Sequence, residues 1–493
     1  MKKSPRKSAP ETPDPLLAFH PAVREWFEAV FPGPTAPQVQ GWPAISRGDS
    51  TLILAPTGTG KTLTAFLWCI DRLMFVPSPP AAERCRVLYI SPIKALAVDV
   101  ERNLRAPLVG VAQMARKQGV PVYEPSIAIR TGDTPAGERA RFSRHPADIL
   151  ITTPESIYLL LTSNARETLR SVETVIIDEI HALVPGKRGT HLALSLERLE
   201  HLCGRKLQRI GLSATQRPLE EVARFLGGAM GGATNRTSKV DVKPDPDAPS
   251  EFLPEFESTT LAPRYRPVTI VDARAPKHLD LRIEVPLDDM KRLDEIEPIP
   301  SGPAAQGPVR PSIWSAIHPK LVELVLAHRS TLIFVNSRRL AERISGAMNE
   351  LAGDILVRAH HGSVASAQRK EIEERLKTGT LRGIVATSSL ELGIDMGAVD
   401  LVIQIEAPPS VASGMQRIGR ANHHVGGVSS AVIFPKYRGD LVACAAITRA
   451  MQEGNVERVT YPRNPLDVLA QQLVAMVAMD SWDADELFNV ASR

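Results

Sequence analysis

Thr51-Leu52-Ile53-Leu54-Ala55-Pro56-Thr57-Gly58-Thr59-Gly60-Lys61-Thr62-Leu63-Thr64-Ala65-Phe66-Leu67 reads as a strand, a loop and a helix in succession. Thr51 to Leu54 is an apolar run of the kind buried in a parallel sheet. Past Lys61 the apolar residues Leu63, Phe66, Leu67, Ile70, Leu73 and Met74 recur at helical spacing. Gly58 to Thr62 therefore fall at a helix N-terminus, where outward N–H groups favour anions. Glycines let the backbone approach phosphates, a Lys reaches the outer phosphates and a Thr hydroxyl serves Mg²⁺. Thr57, Gly58, Thr59, Gly60, Lys61 and Thr62 are thus expected around ATP, although Ala55 stands where the general pattern has its first Gly.

Downstream, Thr174-Val175-Ile176-Ile177 is a β-branched run ending in Asp178-Glu179-Ile180-His181. It puts two carboxylates at the carboxyl edge of a parallel sheet, where ligands bind. Asp178 is expected to hold Mg²⁺ together with Thr62, and Glu179 to orient or deprotonate an attacking water. Far along the chain, Gln416-Arg417-Ile418-Gly419-Arg420 supplies the second half of an ATP site, and such a split implies a nucleotide-driven motor.

Strand-like and helical runs alternate from about 13 to 227 and again from about 310 to 450, predicting two parallel-sheet α/β domains covered by helices on both faces. Between them Gly, Pro, Asp, Ser and Thr dominate 228–263, which reads as a disordered insertion. Arg266 to Val271 and Leu281 to Val285 read as two strands that bridge the domains. Residues 1–12 read as a disordered basic tail carrying Lys2, Lys3, Arg6 and Lys7.

The 493 residues, 43% of them apolar, suffice for two or three cores. A net charge of +4 is small, so nucleic-acid affinity requires a local basic surface. The four cysteines lie far apart, which argues against disulfides and zinc and for a reducing cytoplasm. No run nears the ~18 apolar residues of a membrane span. His360-His361 and His423-His424 are adjacent pairs whose side chains diverge on a strand, so no metal beyond Mg²⁺ is expected.

Gln38 after Pro37, Ser91-Pro92-Ile93-Lys94-Ala95-Leu96, Thr131-Gly132-Asp133-Thr134, Thr152-Thr153-Pro154-Glu155-Ser156, Ser213-Ala214-Thr215 and Thr387-Ser388-Ser389-Leu390-Glu391-Leu392-Gly393-Ile394-Asp395 follow one another in an order that resembles superfamily 2 helicases. Pro408-Pro409-Ser410-Val411-Ala412-Ser413-Gly414 and Tyr461-Pro462-Arg463-Asn464-Pro465-Leu466 narrow the resemblance to the large helicase-related (Lhr) family of DNA helicases.

The resemblance implies two RecA-like domains in tandem, at 13–227 and 264–450 with the bridging strands in the latter, then the truncated start of a winged-helix domain at 451–493. It further implies an ATP hydrolase of the Asp-Glu-Ile-His variant that moves 3′-to-5′ on single-stranded DNA and unwinds DNA or DNA:RNA duplexes in DNA repair. Gln38 would read the adenine edge. Lys61, Glu179, Arg417 and Arg420 would act in catalysis, Arg420 on the transferring phosphoryl group. His181 would relay the nucleotide state, and Gly393, Asp395 and Arg417 would contact nucleotide or link the domains. Lys94, Thr131, Thr153, Ser363 and Thr387 are expected on nucleic-acid phosphates, although each is also a common cap residue. Pro185-Gly186-Lys187-Arg188-Gly189 is either a basic contact or a solvated turn. Asn422 and His423 depart from the family pattern of Gly and Arg. An RNA-remodelling helicase of the same fold and a nucleic-acid-binding fragment without unwinding remain the alternatives.

Overall fold

A computed structural model describes residues 14–56, 58–77, 79–214, 216–230, 263–274, 279–285, 313–391, 399–421 and 428–493. The expected basic tail and almost all of the expected insertion lie outside them, as do Thr57, Thr215, Gly393, Asp395, Asn422, His423 and His424.

Two all-parallel sheets form the two lobes. The first contains β1 (Thr51–Leu54), β2 (Val87–Ile90), β3 (Ile127–Arg130), β4 (Ile149–Thr152), β5 (Thr174–Ile177), β6 (Gln208–Ser213) and β7 (Thr269–Asp272), in the order β3-β4-β2-β5-β6-β1-β7. The second contains β8 (Leu279–Ile283), β9 (Thr331–Phe334), β10 (Val357–His360), β11 (Gly383–Ala386), β12 (Leu401–Ile405) and β13 (Ser429–Phe434), in the order β10-β11-β9-β12-β13-β8.

Near-continuous apolar strands are what two covered faces require. In β1, Leu52 and Leu54 enter one core while Ile53 enters the other; in β9, Leu332 and Phe334 oppose Ile333. Each such side chain contributes about 1.5–3 kcal/mol on burial, and the period of two fixes which core it serves.

The strands expected to bridge the domains divide between the sheets. β7 lies beside β1, with Thr51 opposite Thr269, while β8 lies beside β13. The chain therefore crosses from one sheet to the other between Asp272 and Leu279. The expected insertion leaves and returns at one place, because Ala229 and Tyr265 form an antiparallel bridge.

The last helices, Leu466–Val477 and Ala484–Ala491, return to the first lobe and pack on its helix Lys187–Cys203. Gln472 is buried there, accepting a hydrogen bond from Arg198 Nη1 (2.7 Å) and donating to Ser195 Oγ (3.1 Å) and His191 O (3.1 Å). The basic loop before that helix is engaged too. Lys187 pairs with Asp467 at 2.6 Å, and Arg188 with Glu155.

A buried four-charge cluster joins the same helix to the strand edge. Arg209 Nη2 lies 2.9 Å from Glu197 and 3.0 Å from Glu200, and Arg266 meets Glu197 at 2.7 Å and Glu200 at 3.3 Å. Burial pushes the Glu197 carboxyl up, yet the Arg266 hydrogen bonds and the two guanidinium fields outweigh it and hold its pKa below the ordinary value. A depressed carboxyl stabilises the fold above the unfolded pKa of ~4.3 and loses that contribution as pH falls through the folded value. Arg266→Ala should therefore cost up to about 3–5 kcal/mol, because it leaves two buried carboxylates to share Arg209 alone. Urea unfolding at neutral pH should read this loss, and the gap between parent and variant should close as the buffer is acidified below pH ~4.

Candidate functional site

Residues just past strands of the first sheet, where ligands of parallel sheets bind, line a cleft shared with the second lobe. Past β1, Gly58 and Gly60 both sit at φ +82°, where a side chain is strained. At Gly60 an added Cβ would also lie 3.0 Å from Gln38 Nε2, and Gly60 caps the helix Lys61–Phe75. Gln38 is buried, and its Oε1 accepts the Thr35 N–H at 2.8 Å. Thr35 in turn donates its hydroxyl to Thr59 O at 2.9 Å, so the Gln38 turn braces the loop. Lys61 is buried and donates to Ser213 O at 3.3 Å. Thr62 follows it in the first helical turn.

Past β5, Asp178 and Glu179 are both 5% exposed. Glu179 adopts a left-handed backbone (φ +43°, ψ +44°), which costs a non-glycine residue roughly 1–2 kcal/mol. Its N–H is tied to Asp178 Oδ1 at 2.8 Å, and its carboxylate comes 3.3 Å from His181 Nδ1. Tyr89, from β2, donates its hydroxyl to Asp178 Oδ2. Burial pushes the Asp178 pKa up and the adjoining Glu179 charge adds to it, while Tyr89, Lys61 and the Glu179 N–H only partly offset the rise. Two adjoining buried carboxylates are hard oxygen donors, which fit a divalent cation such as Mg²⁺.

His181 Nδ1 lies 3.4 Å from Ser213 Oγ and 3.5 Å from Ala214 N, so one ring nitrogen joins the carboxylate loop to the end of β6. Its pKa is lowered, first by burial and then by Lys61 and Arg420, against the pull of Glu179. Burial thus favours the neutral imidazole.

A cleft of about 570 Å³ between the lobes is lined by Pro56, Glu179 and His181 on one side and by Gln416 and Arg420 of the second lobe on the other. That volume suits a small-molecule site of roughly 300–1,000 Å³. Arg420 Nη2 donates to Glu391 O at 2.8 Å. Arg417 turns the other way. Its Nε meets Glu391 Oε1 at 2.7 Å, its Nη1 reaches Asn336 and Gln404 at 3.0 Å each, and its guanidinium lies 5.4 Å over Phe334.

The five expected phosphate contacts occupy the other half of both sheet edges, past β2, β3, β4, β10 and β11. Lys94 opens the helix Lys94–Lys117 and pairs with Asp133, while its neighbours Ile93 and Ala95 pack on the second lobe. The Thr131 hydroxyl accepts the Asp133 N–H at 3.3 Å, and the Thr153 hydroxyl donates to Ser156 Oγ at 3.1 Å. Ser363 Oγ accepts from Arg338 Nη1 at 2.8 Å, and the Thr387 N–H donates to His360 O at 3.4 Å. His360 and His361 each pair with a carboxylate, Glu373 at 2.9 Å and Glu342 at 2.7 Å. Tyr89, Asn336, Gln404 and Glu391 are site residues that sequence reasoning did not single out.

Three family descriptions match the chain: DEAD/DEAH box helicase over residues 35–223, helicase conserved C-terminal domain over 317–424, and the winged helix domain of large helicase-related protein over 449–493. The chain is 47% identical over 97% of its length to the Lhr helicase/probable uracil glycosylase of Mycolicibacterium smegmatis, covering 31% of that protein. It is 39% identical over 96% of its length to the ATP-dependent helicase Lhr-Core of Methanothermobacter thermautotrophicus, covering 50% of it. The chain thus spans 31% and 50% of the lengths of these two relatives. The solved structure of the M. smegmatis helicase Lhr bound to ssDNA and AMP-PNP is similar at a TM-score of 0.81 and 50% identity, over 97% of this chain and 55% of that one.

The two arginines should separate in a stability measurement. Arg417→Ala leaves the largely buried Glu391 carboxylate with the Ser413 hydroxyl at 3.1 Å but without its guanidinium, and should cost about 3–5 kcal/mol. Arg420→Ala should cost far less, and thermal unfolding combined with hydrogen exchange of the second lobe distinguishes them.

Proposed function

Because the chain belongs to the large helicase-related (Lhr) helicase family, we propose that it is a DNA-stimulated ATP hydrolase that moves 3′-to-5′ along single-stranded DNA and separates DNA or DNA:RNA duplexes. The observation that carries this reading is Arg420 of the second lobe facing Glu179 and His181 of the first across one cleft. A motor needs a ligand site completed only when two bodies approach, so that binding and hydrolysis change the population of closed and open arrangements.

In this reading Thr57 to Thr62 cradle the phosphates of ATP, and Lys61 leaves Ser213 O for the outer phosphates. Thr62 and Asp178 hold Mg²⁺, which neutralises phosphate charge when bound. Glu179 orients the attacking water and takes its proton. Arg420 neutralises charge on the transferring group, a role worth about 10³–10⁵ in rate. Gln38 reads the adenine edge while bracing the loop, and Gly393 and Asp395 complete the nucleotide contacts. Arg417 acts by holding Glu391. Lys94, Thr131, Thr153, Ser363 and Thr387 grip successive phosphates of one strand. The ATP-binding lobe is assigned to 13–227, the second lobe with its bridging strands to 264–450 and the winged-helix portion to 451–493. A cytoplasmic role in DNA repair accords with the family. Among the described residues no helix is long and apolar enough to cross a membrane.

The test is ATP hydrolysis with and without single-stranded DNA or RNA, paired with unwinding of tailed duplexes of each polarity. Glu179→Gln should abolish turnover and keep ATP and DNA binding, since charge and proton acceptance go with little change of shape. Lys61→Ala should weaken ATP binding itself, and Arg420→Ala should lower kcat more than affinity. Stronger stimulation by RNA than by DNA would favour RNA remodelling, and DNA binding without stimulated hydrolysis would leave only a binding module.

A further inference from the structure

Between the helix Arg438–Glu453 of the second lobe and the helix Leu466–Val477 docked on the first, the chain runs as a strap over 455–463. Within three residues it touches both halves of the ATP site. On the second lobe, the Glu457 carboxylate accepts the N–H groups of Val411 (2.5 Å) and Ala412 (3.2 Å). These are orphan donors at the start of the helix Val411–Ile418, whose last turn carries Arg417 and leads into Arg420. On the first lobe, the Val459 N–H donates to Arg217 O at 2.7 Å, and Arg217 and Arg458 form a parallel bridge. Arg217 lies three residues past Ala214, which with Ser213 meets His181 Nδ1. The Tyr461 hydroxyl, 2.9 Å from that of Tyr265, and the packing of Val459 and Tyr461 on the first lobe's core fasten the strap further.

We infer that Glu457 and Val459 are positioning residues of the ATP site: one seats the helix that presents Arg420, the other seats the segment that holds His181, and the strap between them sets one against the other. Any displacement of the C-terminal helices pulls on both seats. The C-terminal portion thereby acts on hydrolysis without contacting nucleotide. The inference deepens the proposed motor reading and rests on it for its catalytic consequence.

The experiment compares Glu457→Ala, Glu457→Gln, Val459→Pro and Val459→Ala in the full chain. Glu457→Ala and Val459→Pro remove a helix-capping acceptor and an N–H donor. They should lower DNA-stimulated kcat between about twofold and thirtyfold, the usual range for a coupling defect, with the KM for ATP little changed. Glu457→Gln keeps an acceptor and should restore most of the rate; Val459→Ala keeps the N–H, loses only part of the core packing, and should lose much less than Val459→Pro. Parental kcat in both disruptive variants, or equal losses in Val459→Pro and Val459→Ala, overturns the inference. A drop in thermal stability with kcat per folded molecule unchanged also overturns it. Hydrogen exchange of 455–463 with and without AMP-PNP reads the link without turnover. Strap protection should change on nucleotide binding, and an unchanged profile counts against the strap. Absence of hydrolysis in the parent instead sinks the motor reading and leaves the exchange result to judge the strap.

Discussion

Asp178 and Glu179 are buried side by side at the end of one strand, and two adjoining carboxylates in that setting cannot both keep their charge without cations nearby. The rest of the site answers this constraint. Lys61 approaches from the glycine loop, burial and the adjoining Glu179 charge push the Asp178 pKa up, and Arg420 lines the cleft from the other lobe. A polyphosphate carrying a divalent ion would supply cation and anion together, and its net negative charge would draw Arg420 inward. The buried acid pair thus gives the two lobes a reason to meet at that point.

The sheet topology then assigns the remaining edge. In the first sheet, β1, β5 and β6 lead into residues lining the cleft between the lobes and β3, β4 and β2 carry the expected phosphate grips. In the second, the helix after β12 lines the same cleft while β10 and β11 lie toward the other half of the sheet. A change in lobe separation at one half of the cleft must therefore move the other half, because each sheet is a packed, rigid body.

Much of this was legible in the sequence because its signals are local. A glycine loop between an apolar strand and a helix, or two acids after a β-branched run, needs no knowledge of distant partners. The division into two parallel sheets followed from the same alternation. What escaped depends on long-range contact. Tyr89 reads as an ordinary strand aromatic until β2 is placed beside β5, where its hydroxyl finds Asp178. Arg266 to Val271 looked like a bridge because nothing local tells a strand which sheet edge lies open, and it was the edge beside β1 that accepted it. Lys187 and Arg188 looked free because their acidic partners lie elsewhere, Asp467 far along the chain and Glu155 on a neighbouring helix.

Arg417 and Arg420 show how two like residues three positions apart acquire different work. One face of the helix, through Ala412, Met415 and Gln416, lines the cleft and runs on through the Gly419 cap to Arg420, while Arg417 projects from another face into the lobe. Glu391 receives both, its carboxylate holding Arg417 and its carbonyl holding Arg420. An arginine that must meet a phosphate at a fixed place needs a root that does not yield, since small misplacements of a catalytic group are costly. Arg417, held by Glu391, Asn336, Gln404 and Phe334, supplies that root, and through the Glu391 it shares with Arg420 a fully buried guanidinium takes part in placing its neighbour.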